Sequence, residues 1–109
     1  MMRNLSEERM VAIFADHDGY VISEEVLAEG TGSHVILTPR RIFSRALKLD
    51  AHRIVLAHNH PSGCSDPSHR DIEFTRRLSG QARDLGLTID DHYIVGKRDV
   101  TSMKDRGLF

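Results

Sequence analysis

The sequence predicts a mixed α/β domain in which helices interrupt a sheet. Three observations carry that expectation. Strand-like runs, RMVAIFA at 9–15, RIVLA at 53–57 and LTIDDHYIVG at 87–96, recur along the chain. Asp18-Gly19, just after the first of them, is a strong hairpin turn signal. Two further segments, opening at Thr38 and Ser68, carry apolar residues every three or four positions.

Taken in order, RMVAIFA is a strand, 16–20 (DHDGY) its turn, and 20–28 the return strand. Residues 29–33 (EGTGS) form a loop, and HVILT at 34–38 is another short strand. Thr38 then caps a helix whose first position is Pro39, a residue suited to that place. Ile42, Phe43, Ala46, Leu47 and Leu49 form its apolar face. RIVLA reads as a buried strand, and 58–68 (HNHPSGCSDPS) as a loop. Ser68 starts a second helix whose buried side is Ile72, Thr75, Leu78, Ala82 and Leu85, ended by Gly86. Residues 87–96 are a strand, and DVTSM at 99–103 one more.

The 109 residues suit one domain, expected over 1–109. With 39% hydrophobic and 28% charged residues, a globular class is favoured over a disordered one. Fifteen basic against 16 acidic residues is no nucleic-acid footprint, and the short basic runs at 39–41 and 75–77 read as solvated helix faces. No apolar run approaches the ~20 residues of a membrane helix. The first ten residues lack the apolar core of a signal peptide, so a cytoplasmic location is the default expectation. The single cysteine, Cys64, excludes an internal disulfide and any CxxC zinc site.

The stretch LAHNHPSG at 56–63 carries the chemistry. Residues i and i+2 of an extended chain share a side, so His58 and His60 can reach one metal ion. Zinc accepts imidazole nitrogen and carboxylate oxygen. A third ligand is needed, and Asp71, in the first turn of the second helix, is the candidate. Ser68-x-x-Asp71 also resembles a capping box, and an Asp in a first turn is common through the helix dipole alone. The letters His-Asn-His suggest a nuclease as well. That motif spreads its residues over a larger unit, however, and no basic surface accompanies them here.

The combination of motifs resembles a known family. HNHPSGCSDPSHRD matches the JAMM metal motif, His-x-His followed by ten residues and Asp, of JAB/MPN-type metalloproteases. AHNHPSG at 57–63, PSHRD at 67–71, LGLTIDDHYIVG at 85–96 and RGLF at 106–109 resemble most the bacterial RadC-type branch, as does Asn59 between the histidines. The likeness covers nearly the whole chain. Fuller RadC-type proteins also carry an N-terminal helix-hairpin-helix region, which this sequence is expected to lack.

The resemblance implies a cytidine-deaminase-like JAB/MPN fold, a mixed sheet with flanking helices. It implies one zinc ion held by His58, His60 and Asp71, with Ser68 stabilising an oxyanion. A general base is also implied. The family position falls on Glu8, with Glu7 one residue away as the alternative; a one-residue slip would turn the side chain to the other face. The implied activity is metallopeptidase, cleaving peptide or isopeptide bonds of a peptide or protein substrate. A non-proteolytic RadC-like protein with a DNA-repair association, or a binding module, is the alternative. Edge strands in a small sheet could pair into a homodimer.

Among the remaining residues, Cys64 reads as a variable loop residue, and His17, His34, His52 and His69 as surface residues. His92 reads as hydrogen-bonding within the sheet or neighbouring the site, with weight on the first. Asp90 and Asp91 read as strand-edge charges, Asp91 with a smaller claim to support a metal ligand.

Overall fold

In the computed structural model, residues 8–30 and 37–109 are described, with side chains at 8–28 and 37–109. Strands β1 (Glu8–Ala15) and β2 (Val21–Gly30) form the hairpin that Asp18-Gly19 signals. Asp16 builds the turn: its Oδ1 accepts from the Asp18 and Tyr20 N–H groups at 3.0 and 2.9 Å. Gly19 adopts φ 92°, a region that costs any other residue a steric clash.

After α1 (Pro39–Lys48) come β3 (Arg53–Asn59), α2 (His69–Asp84), β4 (Thr88–Val95) and β5 (Val100–Ser102). The sheet order is β2-β1-β3-β4-β5. Only β3 and β4 are parallel, with α2 as the crossover that a parallel pair needs. The sheet is therefore mixed, as expected. Residues 34–36 of the strand expected at 34–38 lie outside the described residues, and Leu37 and Thr38 belong to no element.

Both helices cover one face. Met10, Ala12 and Phe14 of β1 alternate onto it, as do Ile54 and Leu56 of β3. α1 adds Ile42, Phe43 and Ala46, and α2 adds Leu78 and Ala82. Burying a side chain such as Phe14 or Leu56 contributes about 1.5–3 kcal/mol each. An ion pair pins α1 over the sheet: Arg45 Nε and Nη2 donate to Glu25 Oε1 and Oε2 at 2.7 and 2.8 Å. Two expected core residues are corrected. Leu47 and Leu85 are 56% and 48% exposed, because at these helix ends Leu49 and Leu87, two residues on, pack against the core instead.

The caps explain the helix limits. Thr38 Oγ1 accepts from the Arg41 N–H at 3.3 Å. α2 ends in a Schellman arrangement, with Gly86 at φ 75° and the Leu87 N–H donating to the Ala82 carbonyl at 2.8 Å. α1 ends the same way, but Asp50 occupies the left-handed position at φ 53°. No helix among the described residues is long and apolar enough to cross a membrane.

This topology positions the site. β1 runs antiparallel to β3 with Met10 opposite His58, so the start of β1 lies beside the end of β3. The loop after β3 returns to the sheet and delivers the first turn of α2 to the same place.

Candidate metal centre

His58 is the penultimate residue of β3, points to the helix-covered face and is 2% exposed. His60 follows on the same side, and the two Nε2 atoms lie 3.1 Å apart. The loop is fixed to β4: the His60 N–H donates to the Val95 carbonyl at 3.2 Å, and the Lys97 N–H to the Gly63 carbonyl at 3.0 Å. His60 Nδ1 lies 3.0 Å from the Cys64 carbonyl oxygen. A carbonyl only accepts, so Nδ1 carries a proton, and in the neutral ring Nε2 is the atom left with a lone pair facing the site.

Asp71 closes a third side. Its Oδ2 is 3.1 Å from His60 Nε2, and its Oδ1 is 3.3 Å from His58 Nε2. The capping box is present too: Ser68 Oγ accepts from the Asp71 N–H at 3.0 Å, and Asp71 Oδ2 from the Ser68 N–H at 2.8 Å. The two sequence readings of Asp71 are compatible, because the cap holds the carboxylate where both imidazoles meet it. Glu8, the first residue of β1, brings Oε1 to 3.8 Å from His58 Nε2. One ligand atom each from Glu8, His58 and His60 lie within 4.8 Å of one another. Glu7 lies outside the described residues.

The electrostatics follow from this crowding. Burial works to raise the Asp71 pKa, but the His58 and His60 rings against it and the hydrogen bond from the Ser68 N–H hold the carboxyl well below the usual range. Asp71 in turn raises the His60 pKa, against the opposing effect of burial. Two imidazole nitrogens only 3.1 Å apart repel if both present lone pairs, and a cation between them removes that cost. Two imidazoles and two carboxylates fit a borderline divalent ion such as zinc, and they fit other divalent ions as well.

Two groups behind the site carry more than the sequence revealed. His92 of β4 is 1% exposed and places Nε2 2.7 Å from His58 Nδ1. Its Nδ1 lies 2.7 Å from Thr75 Oγ1 of α2. It is therefore both buried in the sheet and adjacent to the site. Burial, and next the neighbouring His58, push its pKa down to about 3. Asn59 points to the opposite side of β3 from the histidines and is 1% exposed. Its Oδ1 accepts from the Arg9 N–H at 2.8 Å, which ties down the start of β1 next to Glu8. The apolar setting of His92 in DDHYIVG was the one sequence signal for its burial.

The remaining readings resolve simply. His17, His52 and His69 are exposed, and His34 lies outside the described residues. Cys64 is exposed and meets His60 through its carbonyl. Asp91 accepts from Ser102 Oγ and from the Lys104 N–H, so it braces the C-terminal turn.

Comparison with known proteins adds a family. The profile of the RadC-like JAB domain matches residues 1–108. A UPF0758 protein of Symbiobacterium thermophilum is 41% identical over 107 residues, 98% of this chain and 46% of that protein. UPF0758 proteins of Vibrio vulnificus and Rhodobacter capsulatus are each 39% identical over 98% of this chain, covering 48% and 50% of their own lengths. The chain thus spans about half the length of the curated relatives it matches.

Proposed function

The chain belongs to the RadC-like JAB domain family, and from that premise we propose that it is a hydrolase, using one divalent ion, by default zinc, to cleave peptide or isopeptide bonds. The observation that carries the reading is the convergence of Glu8, His58, His60 and Asp71, drawn from β1, the end of β3 and the start of α2. In this reading His58, His60 and Asp71 hold the ion. When bound, such an ion supplies a Lewis acid that lowers the pKa of water and polarises a carbonyl.

The chain's own groups supply the rest. Glu8 stands at the edge of the set, where its carboxylate takes a proton from the attacking water and returns it to the leaving nitrogen. The Ser68 oxygen accepts from the Asp71 N–H, which leaves its hydroxyl proton to donate to the developing oxyanion. The cap on α2 keeps Ser68 and Asp71 in fixed relation to each other. A peptide or protein substrate suits the near-neutral charge of the chain better than a nucleic acid does.

The test is zinc analysis of the purified chain with hydrolysis assays on peptide and isopeptide libraries. Glu8→Gln should keep the metal and lose about 10²-fold or more in rate. A chain that takes up no divalent ion would overturn the proposal, as would unchanged hydrolysis by Glu8→Gln.

A further inference from the structure

We infer that His92, backed by Thr75, is a positioning residue that holds the His58 proton on Nδ1 and so presents the His58 Nε2 lone pair to a cation. This rests on the metal-centre reading of the same site. The observation is a row of three buried side chains. His58 Nδ1 is 2.7 Å from His92 Nε2, and His92 Nδ1 is 2.7 Å from Thr75 Oγ1. Thr75 Oγ1 is directed onward to Met103 Sδ at 3.9 Å. The three residues are 2%, 1% and 0% exposed, so water does not substitute for a missing partner.

A neutral imidazole has one N–H and one lone pair. Two ring nitrogens at 2.7 Å share one hydrogen, so the row can run in only two directions. In one, His58 Nδ1–H donates to His92 Nε2, and His92 Nδ1–H donates to Thr75 Oγ1. In the other, Thr75 donates to His92, His92 donates to His58, and the His58 proton is left on Nε2. Only the first leaves Nε2 of His58 able to ligate. It also requires His92 to have an acceptor beyond it, and Thr75 is that acceptor. Partners of this kind fix the tautomer and ring orientation of metal-bound histidines, and their loss typically costs 10–100-fold in affinity.

The experiment is titration of the full metal-free chain with zinc, in the unsubstituted protein and in His92→Leu, His92→Gln, Thr75→Val and Thr75→Ser. His92→Leu removes the acceptor and should weaken zinc about 10–100-fold. His92→Gln retains an acceptor near the Nε2 position and should recover most of the loss. Thr75→Val strands the His92 Nδ1–H in an apolar site and should also weaken zinc, whereas Thr75→Ser should not. Nitrogen-15 spectra of the zinc-loaded, unsubstituted chain should find the protons of His58 and His92 both on Nδ1. If His92→Leu fails to fold, the Thr75 pair and these spectra decide. Equal zinc affinity across the Thr75 pair, or a His92 proton on Nε2, overturns this inference alone. Failure of the unsubstituted chain to bind zinc overturns the metal centre itself, and this inference with it.

Discussion

Ser68 has a capping role and a proposed catalytic one, which two substitutions can separate. Its Oγ caps α2 by accepting from the Asp71 N–H at 3.0 Å, and its proton is assigned to the reaction. Replacing an N-cap serine by alanine costs about 1 kcal/mol, whereas glycine costs only a few tenths. For a chain of 109 residues the unfolding entropy is about 0.23 kcal/mol/K, so 1 kcal/mol moves the melting temperature by about 4 °C. Ser68→Ala should therefore melt about 4 °C lower and Ser68→Gly about 1 °C lower. Both lack the hydroxyl, so both should lose hydrolysis by a similar factor, about 10²–10³ for one oxyanion donor. Scanning calorimetry and a rate assay on the same preparations read the two effects apart. A glycine variant melting as low as the alanine variant would refute the capping argument. A glycine variant with full hydrolysis would refute the role of the hydroxyl.

Leu56, fully buried, should cost about 2–5 kcal/mol when cut to alanine, while Leu47→Ala at its exposed site should stay within about 0.5 kcal/mol; urea midpoints compare them. Asp50→Gly should raise stability by up to about 1 kcal/mol, since φ 53° suits glycine and strains other residues; an unchanged or lower melting temperature would count against the strain. The Arg45 guanidinium bound to Glu25 holds that carboxyl down to about 2, against opposing burial. A depressed carboxyl stabilises the fold above its ordinary pKa and loses that effect as pH falls through the folded value. The gap in melting temperature between the natural chain and Glu25→Gln should thus persist at neutral pH and close as pH falls from about 4.5 toward 2.

What the sequence made legible was local. The Asp18-Gly19 hairpin, both N-caps, the Gly86 stop and the pairing of His58 with His60 each depend on residues within a few positions of one another. Asp71 was reachable because a single loop separates it from His60. Glu8 was not, since it meets His58 through antiparallel pairing of strands far apart in the chain, and by residue chemistry alone it reads as a solvated terminal charge. The link from His58 to Thr75 was hidden for the same reason: it requires the parallel β3–β4 register and the seating of α2. Leu47 and Leu85 fit the helical spacing, but periodicity does not reveal that Leu49 and Leu87 take the core positions at the helix ends. Asp50 escaped because the left-handed position is usually announced by glycine.

The neutrality of Asn59 has a further consequence for the strand beside the centre. Glu8 and Asp71 place two carboxylates beside the two histidines, a set that balances one divalent ion in the proposed reading. An aspartate at 59 would be nearly isosteric and could accept the same bond from the Arg9 N–H. It would also place a negative charge at a position only 1% exposed, on the opposite side of β3 from the histidines. Taking a carboxylate out of water costs several kcal/mol. An amide gives β1 its anchor without that cost.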